Sequence, residues 1–260
     1  MSLTATLTSS WTFRNFWSLA MILGYLPDQH DYFVLGSPFV YYARRPSYGF
    51  INSTGSTDIR KKFLFNYNIF ISDFFNTPNK NYHILEGGIR YRFGNKLSME
   101  LSHRHESETD YIVYGGRESN GTPIMAFVDF RDVTSILSGI YNFTSRINLT
   151  VRARHNWSNV VYNRFANPDA NGNPITRSFI PNRDQNFNVL NIDAFFTWDF
   201  RLGSRLILGY KNSLGADEAL DGALRPSYWK NMTGTFDLRH NNELTLRFIY
   251  FLDFNQLRRR

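Results

Sequence analysis

The sequence has no cysteine and no long apolar run among its 260 residues. Without cysteine, a disulfide-stapled fold, a thiolate metal site and a cysteine nucleophile are all excluded. The best apolar segment, residues 16–25, is about half as long as a helix that spans a bilayer. A helical membrane protein is therefore not expected.

Aromatic residues, in contrast, are abundant. The chain carries 24 Phe, 15 Tyr and 5 Trp, which make up 17% of all residues, although the mean hydropathy is only −0.37. Aromatic content this high argues against disorder. The combination of many aromatic residues with a polar average suits a protein that exposes aromatic side chains to something other than water.

The dominant pattern has a period of two residues. In residues 147–157, for example, mostly apolar side chains alternate with Asn, Thr and Arg, which predicts a β-strand. We predict eleven strands, at 3–13, 16–26, 47–57, 61–73, 82–93, 96–106, 131–143, 147–160, 187–199, 204–213 and 242–254. Ordinary strands have about five to six residues, whereas a tilted strand that crosses a bilayer needs about 9 to 11. The predicted lengths therefore favour a membrane barrel over a sandwich.

The connections alternate between short turns and long segments. Short turns are predicted near 14–15, 58–60, 94–95, 145–146 and 201–204, and long segments at 27–46, 76–81, 106–129, 165–185 and 214–241. Residues 110–115 and 124–129 extend one hairpin, and 228–239 are placed in the last loop as a short helix. The predicted fold class is an all-β, antiparallel transmembrane β-barrel with short periplasmic turns and long extracellular loops.

The last predicted strand and the strand count bear on the extent of the barrel. Apolar and aromatic residues alternate across 244–254, like the C-terminal signal that barrel-assembly machinery recognises. Single-chain bacterial barrels have even strand numbers, whereas eleven is odd, so either one strand is not recognised in the sequence or the chain is the C-terminal part of a longer barrel. The first residues show neither the basic nor the apolar region of a signal peptide. We therefore expect residues 1–260 to form one region, the C-terminal part of a larger barrel.

Several segments resemble the outer-membrane family of Bacteroidota labelled DUF5916, which usually carries an N-terminal carbohydrate-binding family 9-like domain. The resemblance rests on seven stretches along nearly the whole chain: Asn15-Phe-Trp, Thr57-Asp-Ile-Arg-Lys-Lys, Arg90-Tyr-Arg-Phe, Leu149-Thr-Val-Arg-Ala-Arg-His-Asn-Trp-Ser, Phe187-Asn-Val-Leu-Asn-Ile-Asp-Ala-Phe-Phe-Thr-Trp, Tyr210-Lys-Asn and Leu244-Thr-Leu-Arg-Phe-Ile-Tyr-Phe-Leu-Asp-Phe. It implies a bacterial outer-membrane location and a longer protein, with a signal peptide and a sandwich domain ahead of the barrel. It assigns no sugar-binding residue to this chain.

Charged residues fall on the polar face of the predicted strands. The basic set comprises Arg90, Arg92, Arg104, Arg152, Arg154, Arg205, Lys211 and Arg247, and the acidic set comprises Glu86, Glu100, Asp193 and Asp199. A charge that faces lipid costs about 2 to 4 kcal/mol near the bilayer midplane, so we expect both sets to face the lumen. Two interpretations stay open. The charges form cross-strand ion pairs that stiffen the wall, or they make a net basic lumen that favours anionic solutes.

Candidates for binding and catalysis are weaker. The loop aromatics selected as possible ligand contacts, which could stack on sugar rings or simply pack the loops, are Tyr41, Tyr42, Tyr48, Tyr114 and Trp229. The pair His103 and His105 lacks a third metal ligand at a clear spacing. Acidic residues at 106, 108 and 110, and at 217, 218 and 221, are better explained as solvated than as calcium ligands. We predict no metal, no cofactor and no catalytic residue.

These features predict an outer-membrane β-barrel that passes solutes, including oligosaccharides, or handles them at the cell surface. Its expected partners are the lipid bilayer, barrel-assembly machinery and an oligosaccharide or anionic solute. Nucleic acid is not expected, because basic residues are spread among the strands. The alternative is a non-conducting anchor or assembly module for a surface or periplasmic partner, and a membrane-embedded hydrolase is a third hypothesis.

Overall fold

We describe the fold from a computed structural model, for residues 4–36, 40–75, 77, 80–181, 183–220 and 227–252. The strands are β1 (Ala5–Thr12), β2 (Ser18–Leu26), β3 (Gln29–Asp31), β4 (Ala43–Arg45), β5 (Tyr48–Ser56), β6 (Phe63–Phe74), β7 (Asn81–Arg92), β8 (Leu97–Arg117), β9 (Pro123–Thr144), β10 (Ile147–Pro168), β11 (Pro174–Thr176), β12 (Asp184–Arg201), β13 (Ser204–Leu220) and β14 (His240–Ile249). One helix, α1 (Tyr228–Gly234), is followed by a 3₁₀ turn, Thr235–Asp237.

Eleven of these strands form one continuous antiparallel sheet, and each overlaps one of the eleven predicted strands. Their order is β1-β2-β5-β6-β7-β8-β9-β10-β12-β13-β14, with the short β11 added beside β10 and with β3 and β4 forming a separate hairpin. The predicted all-β antiparallel fold is therefore confirmed. Within the described residues the sheet is not closed, because β1 pairs with β2 alone and β14 with β13 alone.

The predicted short turns all join strands at the same end of the sheet. In the turn between β1 and β2, the Trp17 amide donates to Asn15 Oδ1 at 3.2 Å. Between β5 and β6, the Arg60 amide donates to Asp58 Oδ1 at 3.0 Å. Gly203 occupies the turn between β12 and β13 with a φ of +76°, a conformation that costs glycine little. Local side-chain hydrogen bonds and one glycine thus fix these turns.

The long connections gather at the other end, where β8, β9 and β10 extend well beyond the predicted spans. Residues 110–115 and 124–129 lie in this extension and pair as predicted. Loop 27–46 packs on the extension in a buried cluster of Leu35, Ala43, Ile112, Met125, Phe127 and Ala166. A second cluster contains Ile124, Ala126 and Phe165. Both clusters therefore lie at this end of the sheet, where the long connections meet the extended strands.

The last loop contains the predicted short helix, but the neighbouring boundaries differ from prediction. Strand β13 continues to Leu220, so residues 217 and 218 lie in a strand rather than a loop, and 221 lies outside the described residues. Strand β14 ends at Ile249 instead of 254. Two residues later, the amide of Phe251 donates to the side-chain hydroxyl of Ser204 at 2.9 Å instead of to a backbone carbonyl of the sheet. Residues 253 and 254 lie outside the described ranges. No described helix is long and apolar enough to cross a membrane.

Candidate functional site

The register gives the main sheet two chemically different faces. On the apolar face, Leu149, Phe196, Leu208 and Leu246 lie directly opposite one another on four neighbouring strands. This face is open: Leu244 is 72% exposed and Leu246 is 70% exposed. We call the surface formed by this row and by the rows of apolar residues directly above and below it the apolar band. Within the apolar band, the described strands place no Asp, Glu, Lys or Arg. An uncharged apolar surface of this extent is rare on proteins that face only water.

The apolar band crosses the strands obliquely. Leu244, at its upper edge on β14, is in register through the intervening strands with Phe63 of β6. On β6 the upper edge of the band lies eight residues beyond Phe63, at Ile71. Strands β14 and β6 are seven strand-to-strand steps apart in the sheet. With a rise of about 3.4 Å per residue and a spacing of about 4.8 Å between strands, this offset corresponds to a strand tilt of about 39°.

The opposite, polar face carries both predicted charged sets. Glu86 lies opposite Arg104, and Arg90 lies opposite Glu100, on β7 and β8. Across β10, β12, β13 and β14, one row alternates in sign, in the order Arg152, Asp193, Lys211 and Glu243. The end of this row is an ion pair, with Lys211 Nζ 3.8 Å from Glu243 Oε1. Glu243 was missed in the sequence, although it continues the alternation.

At the short-turn end of the polar face, the predicted charges bind to nearby turns. Arg205 Nη2 donates to Asp199 Oδ2 at 3.1 Å, across the turn between β12 and β13. Arg90 Nη2 donates to the carbonyl of Ile59 at 2.9 Å, and Arg92 approaches the same carbonyl at 3.5 Å. These residues therefore tie strands to turns.

The remaining predicted basic residues have different neighbours. Arg104 donates to Glu106 Oε2 at 2.6 Å along the same strand. Arg154 and Arg247 lie opposite uncharged residues of their neighbouring strands. The twelve predicted residues thus share one face but do not converge on one point.

At the end with the long connections, loop 27–46 and the extended strands enclose two adjoining cavities, which we call the rim cavity. Their volumes are about 390 and 190 Å³. Charged and aromatic residues of the larger part are Asp28, Arg44, Phe75, Lys80, Asp110, Phe127 and Arg164. Those of the smaller part are Arg45, Tyr48, Phe74, Lys80, Tyr82, Glu108 and Tyr111. Lys80 lines both parts.

Lys80 is held at this junction by three groups. Its ammonium lies 3.2 Å from Glu108 Oε1, donates to the Asp110 carbonyl at 2.8 Å, and lies 4.7 Å from the centre of the Phe74 ring. The Lys80 and Glu108 side chains are only 4% and 9% exposed. Asp110 has a φ of 54° within the register shift of β8, and it lies at the point where β8 departs from its regular ladder.

Burial shifts the pKa values of this pair in opposite directions. Desolvation lowers the pKa of Lys80, and the carboxylate of Glu108 offsets only part of that effect. Desolvation also raises the pKa of Glu108, again with partial compensation from Lys80. Perturbed, paired ionisable groups beside a cavity are a common feature of functional sites, although structural ion pairs show the same shifts.

Three further ion pairs surround the rim cavity. The hydrogen bond from Arg44 lowers the pKa of Asp28. For Asp31, burial acts to raise the pKa, but hydrogen bonds from Arg45 and from the Val34 amide outweigh it. The pairs, with their donor–acceptor distances, are Arg44–Asp28 at 3.1 Å, Arg45–Asp31 at 2.7 Å and Arg164–Asp110 at 2.7 Å. The cavity is therefore highly polar but nearly balanced in charge.

Two of the predicted loop aromatics pack within loop 27–46, and a third, Tyr48, packs at the start of β5. Tyr41 packs against the buried cluster around Leu35. The ring of Tyr42 stacks on His30 at 4.4 Å between centroids, and the ring of Tyr48 lies 5.0 Å from that of Phe74. These contacts favour the loop-packing interpretation for the three tyrosines.

The other two loop aromatics are open. Tyr114 is 47% exposed on β8, and Trp229 is 70% exposed on α1. They belong to different connections, so the structure does not gather the five predicted aromatics into one sugar-binding platform.

The predicted histidine pair and loop acids also have protein partners. His103 Nδ1 lies 2.8 Å from the Ser135 hydroxyl, and the ring of His105 stacks on His83 at 5.5 Å. Glu106, Glu108 and Asp110 each form an ion pair. Across the residues that the structure describes, no group of three or more His, Asp or Glu side chains is placed to hold a metal.

Sequence reasoning missed most charged residues of the rim cavity. Lys80 and Glu108 are 28 positions apart, and Arg164 is 54 positions from Asp110. At such separations, no sequence spacing predicts that the two residues of a pair come together. The one available signal is compositional, because loop 27–46 contains two aspartates and two arginines, which form two of the ion pairs.

The sheet, its two faces and the rim cavity define an antiparallel all-β protein with an open apolar face and a charged polar face. The chain belongs to the DUF5916 family, since the model described as "Domain of unknown function (DUF5916)" matches residues 1–260. The resemblance seen in the sequence is confirmed to that extent. No curated protein and no solved structure matches the chain.

Proposed function

We propose that the chain forms part of a β-barrel in the outer membrane of a bacterium, in keeping with a Bacteroidota origin. In this proposal the apolar face contacts lipid, and the polar face lines a lumen that passes polar solutes, including oligosaccharides, or handles them at the surface. The observation that carries the proposal is the oblique, uncharged apolar band.

The geometry of the band supports a membrane location. Strands of outer-membrane barrels are tilted by about 35 to 45°, and the register offset corresponds to about 39°. Between Phe63 and Ile71 the band extends about 27 Å along the strand, or about 21 Å along the normal at that tilt. The apolar band of known outer-membrane barrels is about 25 Å tall.

The polar face supports contact with water and with charged solutes. The predicted sets contain eight basic and four acidic residues, and the register places Glu106, Asp132 and Glu243 on the same face, so among these residues the basic groups exceed the acidic ones by one. A surplus of fixed positive charge raises the local concentration of anions. The rim cavity, at the end of the long connections, offers hydrogen-bonding and aromatic groups where a solute would first meet the protein.

Membrane location is tested by fractionation of cells that express the full-length protein. We expect the protein to stay in the outer-membrane fraction after a urea wash. Recovery of native protein in the soluble fraction would contradict the proposal at its first step.

Solute passage is tested by conductance of the full-length protein in planar bilayers under a salt gradient. We expect a reversal potential that indicates anion preference, and a shift toward cations in the Arg152→Glu/Lys211→Glu variant. Lys230→Glu, on α1 and away from the polar face, is the matched control and should leave the reversal potential unchanged. Conductance that the double substitution does not alter would show that this face does not line the path.

A non-conducting anchor is the second candidate, and the alternating row from Arg152 to Glu243 favours it. Charges that neutralise one another across the wall can stiffen a barrel without guiding ions. A silent bilayer together with membrane retention would support the anchor. In either case the open edge of β14 offers backbone groups for strand pairing, either with further strands of the barrel or with assembly machinery that acts on 244–254.

A further inference from the structure

Helix α1 and the following 3₁₀ turn dock on the apolar face of the sheet through polar contacts. Asn186 Nδ2 donates to Asn231 Oδ1 at 2.9 Å. Asn188 Nδ2 donates to the Asn231 carbonyl and to Thr235 Oγ1, both at 2.9 Å. Asn188 and Asn231 are 5% and 8% exposed, and Thr235 is fully buried. The segment is thus fixed on the sheet by a buried hydrogen-bond network.

The network continues into the strands. Trp157 Nε1 donates to Asn186 Oδ1 at 2.7 Å, and His155 Nε2 lies 2.8 Å from Asn188 Oδ1. The Tyr228 hydroxyl lies 2.7 Å from that of Ser135. Helix α1 therefore has a defined docked side, which contains Tyr228, Asn231 and Thr235.

The opposite side of this segment is uncovered and carries two large aromatic side chains. Trp229 is 70% exposed and Phe236 is 57% exposed, and the polar Lys230, Thr233 and Asp237 beside them are also exposed. Docking through polar groups while large aromatic side chains stay outside is the reverse of what burial in water favours. The aromatic side chains need an apolar environment that the described part of the chain does not provide.

The segment lies at the upper edge of the apolar band. Asn188, which holds Thr235, is four residues above Ile192 on β12, about 14 Å along the strand. Leu190, between them on the same face, is apolar and buried, and the band continues downward from Ile192 through Ala194 and Phe196. On the same face, directly above Leu101 of β8 and Leu137 of β9, lie the polar His103 and Ser135. The helix therefore occupies the transition between apolar and polar surface.

We propose that α1 and its 3₁₀ turn form an interfacial anchor, in which Trp229 and Phe236 enter the boundary between lipid headgroups and acyl chains. Tryptophan is enriched at this depth because its ring is apolar and its N–H is polar, and lysine at the same level reaches the phosphates. The inference rests on the proposed membrane location. The polar network fixes the depth at which the two aromatic side chains sit.

The absence of native cysteine makes a direct test possible. Single substitutions Trp229→Cys and Phe236→Cys, made in the full-length protein and spin-labelled, are compared in lipid vesicles for accessibility to oxygen and to a water-soluble nickel chelate. Leu246→Cys reports the lipid band and Asn120→Cys, in the turn between β8 and β9, reports water. Heat-modifiable migration on gels confirms that each variant is folded.

We expect oxygen-to-nickel accessibility ratios at 229 and 236 several-fold above that at 120 and below that at 246. Ratios equal to that at 120 would overturn the anchor, and so would shielding from both reagents, which would indicate a protein partner or a second copy of the chain. A water-like ratio at 246 would overturn the membrane location itself, so the two failures are distinguishable.

Discussion

The buried pair of Lys80 and Glu108 allows a quantitative test of the rim cavity. Its charges are 3.2 Å apart, and the two side chains are 4% and 9% exposed. At that separation the Coulomb attraction is about 5 kcal/mol for an effective dielectric constant of about 20. Removal of one partner from a buried pair costs about 3 to 5 kcal/mol, because the other charge is left uncompensated.

We therefore expect Lys80→Met and Glu108→Gln each to lower the free energy of unfolding by about 3 kcal/mol. The double variant should lose much less than the sum, because no uncompensated charge remains, and the coupling energy should be at least about 2 kcal/mol. Urea titration of the full-length protein in lipid vesicles, followed by tryptophan fluorescence, measures the four free energies of the cycle.

Lys211 and Glu243 form the matched control pair. They are 3.8 Å apart but 48% and 58% exposed, so Lys211→Met and Glu243→Gln should couple by about 0 to 1 kcal/mol. Equal coupling in the two cycles would refute the reasoning that burial strengthens the Lys80 pair. Burial raises the pKa of Glu108, so its carboxylate becomes protonated earlier as the pH is lowered. On acidification, the coupling between Lys80 and Glu108 should therefore be lost at a higher pH than the coupling of an exposed glutamate.

The remaining predictions concern the band, a turn and the docked helix. Leu246→Arg should destabilise the vesicle-bound protein by about 2 to 4 kcal/mol, whereas Thr245→Arg on the opposite face should cost far less; similar costs would contradict the assignment of faces. The hydrogen bond from Arg60 lowers the pKa of Asp58 to about 2, so its contribution is complete above the unfolded pKa of 3.8 and is lost as pH falls through about 2. Asp58→Asn should therefore reduce stability at pH 7 by clearly more than it does near pH 2, where most of the contribution is already lost, as urea titrations at both pH values will show. Asn188→Ala removes the hydrogen bonds to α1 and should cost about 1 to 3 kcal/mol, with faster hydrogen exchange in α1; unchanged exchange would show that the network does not hold the helix.

The main sheet was predictable because each strand repeats the same two-residue pattern. The alternation in residues 147–157 identifies the strand and assigns each side chain to a face before any partner is known. The turns at Asn15 and Asp58 are equally local. In each, the side-chain oxygen accepts a hydrogen bond from the backbone amide two residues later. Whether the polar face lines a lumen remains a prediction.

The rim cavity and the docking of the predicted helix on the sheet were not predictable, because they depend on contacts distant in sequence. Asn188 and Asn231 are 43 positions apart, and each occurs in a segment whose local pattern gives no reason to single it out. The extension of β8 was only partly foreseen, because its register shift between Glu108 and Tyr111 interrupts the alternation. Local patterns identify a strand and its faces, but not which loop returns to cover it.

The oblique apolar band also restricts how the strands can slide during assembly. A slip of one residue between β13 and β14 would move Arg247 onto the apolar face, at about 2 to 4 kcal/mol if that face meets lipid. A slip of two residues keeps every side chain on its own face, so alternation alone cannot prevent it. It would, however, lower Asn242 by about 7 Å into the level that Leu244 now occupies. The slope of the band thus selects one alignment among those that alternation permits.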